Sequence, residues 1–334
     1  MFTFGILVQN ENFDPLLLLI IAIILDALFG DLKILFRFID HPVIFIGKVI
    51  TIFDRKLNRE KRNELDRVFR GAFTVFLLTV ASGLFGYSIT WLSFHHPLGW
   101  ALELFLLTSL LAGRSLYDHV LEVANSLKIS LDDGQKAVAH IVGRNPRALD
   151  KFGVARAAIE SAAENLSDGV VAPIFWYIIF GFPGLLIYKT INTMDSMIGH
   201  KTPKYEAFGM TAARLDDALN IIPARLTALF IILASFFVPT SSPVNSLKIV
   251  IRDSHKHRSL NAGWPEAAMA GALKIALAGP RHYKNSIIND PWIGNGSAKV
   301  LVKDISRALY LYSVANLINL GWVSSVMLIR VSLS

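Results

Sequence analysis

The sequence contains no cysteine among its 334 residues. This absence excludes disulfide bonds, thiolate catalysis and metal sites built on cysteine sulfur. Three motifs of nucleotide and acyl chemistry are also missing: the G-x-x-x-x-G-K-[ST] phosphate loop, a G-x-G-x-x-G turn after a strand, and the G-x-S-x-G elbow. Any nucleotide site in this chain must therefore be unconventional.

Alternating polar and apolar residues, the signature of strands, are also scarce, and no internal repeat is present. The sequence therefore predicts an all-α fold. Turn-rich segments are predicted at residues 239–245 and 285–297, the second a loop with Asn295-Gly296 as its turn. Residues 1–334 are interpreted as a single membrane domain with helical cytoplasmic loops.

Long apolar segments dominate the composition. Hydrophobic residues make up 53% of the chain, charged residues 18%, and the mean hydropathy is +0.47, too apolar for an ordinary soluble domain. A bilayer core requires about 20 helical residues. The sequence predicts spans at residues 13–29, 71–94, 98–112 and 309–329, with residues 170–188 and 219–238 either spanning or re-entrant. The fold class is therefore a polytopic helical integral membrane protein.

The basic residues set the predicted orientation. None precedes the first apolar segment, whereas ten lie between residues 30 and 70. Because cytoplasmic loops carry the excess of Lys and Arg, this loop is predicted to be cytoplasmic, in a multi-pass protein of the cell's inner membrane. The net charge of +7 follows from such loops facing anionic lipid, and no motif of nucleic-acid binding accompanies it.

Carboxylates and amides are concentrated beside the apolar segments between residues 157 and 225, where charge is costly. Glu160, Glu164 and Asp168 recur at four-residue spacing, so they share one face of a helix predicted over residues 153–168. Mg²⁺ prefers one or two carboxylates with waters and phosphates, and Asn165 adds a polar contact. The simpler alternative is a solvated stripe with an Arg156–Glu160 ion pair.

A second group comprises Asn192 and Asp195 on one helical face, followed by Lys201 and Thr202. This set predicts phosphate binding by Lys201 and Thr202, with Asp195 holding a metal or orienting an amine. A capped turn is the alternative.

A third group begins at the paired acids Asp216 and Asp217. Arg214 precedes them and Arg225 follows, at the entry to an apolar segment, as in a lined pocket. A simple Arg214–Asp217 pair is the alternative. His41, beside Pro42, is a weaker candidate for ligand contact. Glu266, in the segment NAGWPE, lies at the start of an Ala-rich helix, where helix capping is the leading alternative to a functional role. These patterns predict a phosphate- or metal-handling site at the inner membrane face.

Several long motifs resemble one family in the same order: HPVIFIGKVI, ARAAIESAAENLSDGVVAPIFWY, PGLLIYKTINTMDSMIGHKTPKYEAFG, AARLDDALNIIPARLTAL and NAGWPEAAMAGAL. They resemble the CobD/CbiB family of adenosylcobinamide-phosphate synthases, from about residue 26 to the last span. The resemblance implies an inner-membrane ligase that joins adenosylcobyric acid to aminopropanol phosphate, or a related amino alcohol phosphate, through an amide. ATP and Mg²⁺ are implied with it, and other corrinoid-pathway enzymes are candidate partners.

That chemistry assigns expected roles to the residues above. A carboxylate is a poor acyl donor, so an acyl phosphate that the amine attacks is expected, which requires metal, cations and a base. Metal ligands are expected among Glu160, Glu164, Asp168 and Asp195, and phosphate contacts among Lys201, Arg214 and Arg225. Asp216 or Asp217 would accept the amine's proton. Glu164 is a further catalytic candidate.

Two positions depart from the family pattern: Asn145 stands where an Asp is expected after Gly-Arg, and Leu260 stands where a Pro is expected. A regulatory membrane protein of the AmpE type is the competing interpretation. Retention of the acids in AENLSDG, NTMDSM and RLDD disfavours it. A corrinoid transporter is disfavoured by the large cytoplasmic loops.

Overall fold

Helices form where apolar runs follow a capping side chain. The computed structural model describes residues 14–30, 36, 40–142, 146–283 and 286–333. Asp14 accepts hydrogen bonds from the N–H groups of Leu16 and Leu17, at the start of the first helix. Asn63 and Asp150 cap two later helices in the same way, each satisfying a backbone donor that the helix cannot. The prediction of an all-α polytopic membrane protein is confirmed: helices dominate the described residues.

The first unit comprises Met1–Ala112, Ala172–Asn220 and Val323–Ser334. Its helices are α1 (Pro15–Phe29), α2 (Pro42–Leu57), α3 (Glu64–His95), α4 (Gly99–Leu110), α8 (Ala172–Ile198) and α9 (Met210–Leu219). A buried cluster joins α2, α3, α8 and α9 through Ile50, Val75, Met194 and Ala212. Gly71 lies so close to the carbonyl of Phe208 that a Cβ would not fit, which lets α3 approach the segment before α9.

The second unit comprises Gly113–Val171 and Ile221–Trp322. Its helices are α5 (Gly113–Ile129), α6 (Leu131–Val138), α7 (Lys151–Leu166), α10 (Ile221–Ala234), α11 (Pro243–Asp253) and α12 (Gly263–Leu273), and the chain ends in α13 (Val302–Leu333). Short 3₁₀ turns lie at Pro146–Ala148 and Ser254–Lys256. The centre is α12, whose residues from Pro265 to Leu273 are buried against α10, α11 and α7. Its small Ala and Gly side chains permit this close approach.

A β-hairpin corrects the loop predicted at residues 285–297. Strands β1 (Leu277–Tyr283) and β2 (Ser286–Ile293) pair antiparallel, with Leu277 opposite Ile293. The register shifts between Ala278 and Pro280, where Ala278 and Gly279 have positive φ of 56° and 77°. The loop prediction was wrong for β2 because strand pairing depends on the partner strand, which local turn chemistry does not reveal.

Among the described residues, three helical stretches are long and apolar enough to cross a membrane: Glu64–His95, Lys151–Ile198 and Val302–Leu333. Met210–Leu219 and Ile221–Ala234 are long and apolar enough to cross a membrane only when taken together. The two helices are bent by 45° relative to each other, as in a broken span or a re-entrant loop. The other two predicted spans are helices of 15 residues (α1) and 12 residues (α4). Within α8, Gly181 has non-helical φ and ψ of 66° and −159°, which breaks the helix near Pro183 as its sequence indicates.

Candidate functional site

The polar candidates of the first unit come from the end of α8 and from α9. Asn192 and Asp195 lie on the last turns of α8, and Asp216 and Asp217 lie on α9. The indole N–H of Trp176 donates to the carbonyl of Leu219 at 3.2 Å, which ties α9 to α8. The structure therefore brings two separately predicted groups, the Asn192–Asp195 pair and the Asp216–Asp217 pair, into one site.

Asp216 is at the centre of a buried hydrogen-bond network. Its side chain is 8% exposed, and its carboxylate accepts hydrogen bonds from Asn192 Nδ2 at 3.1 Å and Asn220 Nδ2 at 3.0 Å. Asn220 is held in turn by the hydroxyl of Tyr188, which donates to Oδ1 at 3.0 Å. Within the described residues, no Lys or Arg pairs with Asp216. The carboxylate is therefore oriented by neutral amides alone.

Two other charges act on this pair of acids. The carboxylate charge of Asp195 acts on Asp216, and the positive charge of Lys201 acts on Asp217. Asp195 folds back over Gly199, so that a Cβ at position 199 would collide with its Oδ1 atom. Glycine at this position thus leaves room for the Asp195 carboxylate.

The loop that carries Lys201 and Thr202 is anchored by a buried arginine. Arg67 donates from Nη2 to the carbonyl oxygens of Pro203, at 3.2 Å, and Lys204, and from Nε to Asn58 Oδ1 at 3.2 Å. Asn58 also donates to Asp54, at 2.9 Å. Because a guanidinium bonds several acceptors in a fixed geometry, Arg67 restrains the backbone immediately after Thr202.

Lys204 adds a second anchor to the same loop. Its ammonium group donates to the Tyr205 hydroxyl at 2.7 Å and to Asp54 Oδ2 at 3.1 Å. These two hydrogen bonds raise the pKa of Lys204 above its usual value. Lys204 therefore stays a cation in this role. Lys201 and Thr202, like Lys204, are exposed.

Glu160, Glu164, Asn165 and Asp168 belong to the second unit. Glu160 is buried and accepts a hydrogen bond from the N–H of Ala278 at 2.8 Å, at the bulge of the hairpin. Glu164 is exposed, and Asn165 donates to the carbonyl of Ser161 at 3.0 Å. Asp168 lies in a π-helical turn, Ser167–Val171, that follows α7. Such turns occur frequently at functional sites.

Arg225, also in the second unit, contacts the NAGWPE segment, for which the sequence analysis favoured helix capping. Its guanidinium lies 4.3 Å from the centre of the Trp264 ring, and Nη1 donates to Asn261 Oδ1 at 3.3 Å. Trp264 and Asn261 are thus contact residues that the sequence interpretation missed. The available signal was Trp264 in the NAGWPE segment, because a Trp ring is the preferred aromatic partner of an Arg guanidinium.

The remaining candidates have simpler environments. His41 caps α2, its Nδ1 accepting from the N–H of Val43 at 3.2 Å, and its ring packs against Phe36. Arg214 is exposed on α9. Residues 143–145, which include the departure at Asn145, lie outside the described residues.

The donor chemistry near Asp195 suits Mg²⁺, whose ligands are oxygens and which needs only one or two carboxylates besides water and phosphate. No group of three or more His, Asp or Glu side chains able to hold a metal occurs among the described residues. Asp195 and Asp216 are oxygen donors of the kind that Mg²⁺ takes, and fewer than three such side chains come together in the described residues.

Comparison with known proteins places these residues in a family. The profile described as CobD/Cbib protein matches residues 19–312. A protein of Sinorhizobium sp., named cobalamin biosynthesis protein CobD, is 46% identical over 94% of this chain and 98% of its own length. Proteins of the same name from Rhizobium meliloti and Rhodobacter capsulatus are 44% and 43% identical, over 90% and 88% of this chain and 94% and 92% of theirs. No solved structure matches. The chain belongs to the CobD/CbiB family.

Proposed function

We propose that this chain is an adenosylcobinamide-phosphate synthase of cobalamin biosynthesis. The reaction joins a carboxylate of adenosylcobyric acid to the amine of (R)-1-aminopropan-2-ol phosphate, or a related amino alcohol phosphate, and consumes ATP. The names of the relatives support the pathway. The observation that carries the reaction type is the buried Asp216 carboxylate, which accepts hydrogen bonds only from neutral amides.

Amide formation requires a base. The amine is an ammonium ion at neutral pH, so it must lose protons before and during attack on the acyl carbon. Asp216 has a carboxylate held in place by Asn192 and Asn220 and not neutralised by a cation, which suits it to receive the proton. Asp217, on which the positive charge of Lys201 acts, is the second candidate.

Phosphate groups on both ATP and the amino alcohol require cations. Lys201 and Thr202 lie in a loop whose backbone Arg67 and Lys204 restrain, so they are proposed to contact phosphate without a large ordering cost. Arg214 and Arg225 are further phosphate candidates, with Asn165 and His41 as weaker ones. Asp195 would hold Mg²⁺, which neutralises phosphate charge when bound. Roles for Glu160, Glu164 and Asp168 in metal binding stay predictions.

The proposed location is the inner membrane, with the site on the cytoplasmic side. The basic residues between positions 30 and 70 support this orientation, as do the cations of the Lys201 loop. A cytoplasmic site gives direct access to ATP. Lipid is then a constant partner, and other enzymes of corrinoid synthesis are candidate partners.

The test is turnover by purified protein in lipid nanodiscs. Adenosylcobyric acid, aminopropanol phosphate, ATP and Mg²⁺ are supplied, and corrinoid mass and ADP are measured together. The expected result is a mass gain equal to amide formation, with one ADP per product, absent when ATP or amine is omitted. Corrinoid binding without turnover would instead indicate a carrier. Folded protein with neither binding nor turnover would indicate a regulatory protein of the AmpE type.

A further inference from the structure

Helix α11 presents an apolar stripe to the outside of the second unit. Val244, Leu247 and Ile251 are 77%, 49% and 72% exposed. At about 100° per residue, these three positions fall within about 60° of one another on the helix surface. The opposite face, including Ser246, Ile249 and Asp253, is buried. The outward face of α11 thus carries an apolar stripe, whereas the outward face of an ordinary surface helix is polar.

The exposed face of α5, in the same unit, is different. Its outward residues are polar or charged until the final turn, which ends at the exposed Ile129. They are Arg114, Asp118, His119, Glu122 and Asn125. A water-facing helix of this protein thus has the expected polar surface, and the stripe on α11 requires another environment.

Charge identifies that environment as anionic. Between residues 235 and 262 the chain has Lys248, Arg252, Lys256 and Arg258, and its single acid is Asp253, which is fully buried. Arg252 and Lys256 pair with Asp253, and Arg258 pairs with Asp290, so Lys248 is the exposed cation of this segment that has no ion pair among the described residues. Lys248 and Arg252 lie on the border of the apolar stripe, about 40° and 80° from Val244. Long basic side chains beside an apolar stripe suit a bilayer surface, where the stems contact acyl chains and the charges reach lipid phosphates.

Connection to the preceding helix supports the same conclusion. Helix α10 forms with α9 the bent apolar pair, and after α10 the exposed Phe236 and Phe237 precede α11 by a few residues. At 11 residues, α11 is about 16 Å long, too short to cross a hydrocarbon core of about 30 Å. A short amphipathic helix that follows such a pair fits the interface rather than the bilayer core.

We propose that α11 lies in the plane of the membrane surface. Val244, Leu247 and Ile251 enter the acyl-chain boundary, and Lys248, on the border of the stripe, contacts the phosphates of anionic lipid. This inference does not depend on the proposed enzyme activity.

The absence of cysteine makes the test direct. Val244→Cys, Leu247→Cys and Ile251→Cys are each labelled with a small fluorophore in the full-length protein in nanodiscs. Quenching is measured with lipids spin-labelled near the headgroup or near the bilayer centre, and with aqueous iodide. Asp118→Cys and Glu122→Cys on α5 are the matched controls.

We expect quenching at the three α11 positions to be roughly twofold stronger with the shallow lipid label than with the deep one, and weak with iodide. The α5 controls should respond to iodide only. Strong iodide quenching at all three α11 positions would overturn the proposal. Protection from both iodide and lipid would also overturn it, because protein would then cover the stripe. Energy transfer between labelled copies would identify that cover as a second copy of the chain.

The anionic preference has its own control pair. With the label at Val244→Cys, spin-labelled phosphatidylglycerol should quench roughly twofold more than spin-labelled phosphatidylcholine. Adding Lys248→Gln should reduce this difference, whereas Lys128→Gln on α5 should leave it unchanged. Equal quenching by both lipids in the protein with Lys248 intact would contradict the anionic-lipid part of the proposal.

Discussion

Asp216 in the first unit and Asp253 in the second are both buried carboxylates, yet their partners differ. Asp253 is paired with Arg252 at 2.6 Å and Lys256 at 2.7 Å, and it accepts from the N–H of Gly294 at 2.8 Å. Asp216 has hydrogen bonds from two neutral amides and lies near the charge of another acid, Asp195. One buried charge is compensated, and the other is not.

The difference separates a structural acid from a functional one. Although burial opposes ionisation of Asp253, its hydrogen bonds from Arg252, Lys256 and Gly294 lower the pKa of that carboxyl below its usual range. These bonds connect α11 to the end of the hairpin, so Asp253 stabilises the fold. Burying a carboxylate without a cation costs free energy. Asp216 is therefore better explained by chemistry than by stability.

The largest expected effect comes from Asp216→Asn. The amide keeps the size of the side chain but cannot accept the amine's proton, so turnover in the amide-forming assay should fall about 100-fold or more. Stability should fall by about 1–3 kcal/mol, because the new NH₂ group faces the amide of Asn192 or Asn220 and leaves a buried donor without an acceptor, so turnover is expressed per folded molecule. Asp217→Asn is the matched control, with an expected loss under about tenfold. Similar turnover in Asp216→Asn and the unmodified protein would remove Asp216 as the base.

Asp253→Asn should show the opposite pattern. Removing the charge weakens hydrogen bonds to two cations, and because Arg252 and Lys256 are partly exposed we expect a loss of about 2 kcal/mol in unfolding free energy. Thermal unfolding in nanodiscs measures this loss. Turnover per folded molecule should stay within about twofold of the unmodified protein. A large fall in turnover with unchanged stability would show that Asp253 takes part in the reaction, and the distinction from Asp216 would then be wrong.

Gly199→Ala tests the position of the Asp195 carboxylate, with a smaller expected loss of turnover than Asp216→Asn. The added methyl would collide with the Asp195 carboxylate and displace it, so turnover should fall about tenfold and the Mg²⁺ concentration for half-maximal rate should rise. Gly321→Ala is the matched control, because nothing lies within 4 Å of a Cβ at that position. Equal effects of the two substitutions would show that Asp195 is not positioned through Gly199.

The smallest effect concerns pH. Asp253 has a lowered pKa in the folded protein, so its contribution to stability is present above the pKa of an unfolded Asp, about 3.9, and is lost as the pH falls towards the folded value. The stability difference between the unmodified protein and Asp253→Asn should therefore be constant from about pH 6 to 8 and shrink below about pH 4. Unfolding temperatures across this range measure it. A difference that grows on acidification has the wrong sign for this assignment.

Asp216 and Asp217 show which part of the candidate site could be predicted from the sequence. Asp216 and Asp217 are next to each other, and the sequence left the choice of base between them open. In the structure Asp216 is buried between Asn192 and Asn220, and Asp217 is half-buried near Lys201. Asn192 is 24 residues from Asp216, and no local pattern predicts such a contact.

Glu160 illustrates the same limit for metal binding. Its spacing with Glu164 and Asp168 predicts a shared helical face, and all three lie along the described continuation of α7. The structure adds a hydrogen bond to Glu160 from the N–H of Ala278, 118 residues away, at a hairpin bulge that the sequence interpretation had placed outside any strand.

The sequence alone determined the helical membrane character, the family and the identity of the polar groups, because apolar periodicity, capping residues and motif order are local properties. The tertiary structure decided which acid is buried without a cation, which glycine makes room for a carboxylate, and which apolar face stays exposed on α11. These outcomes depend on packing between segments far apart in the chain, since burial and partners, rather than residue type, set the cost of each charge.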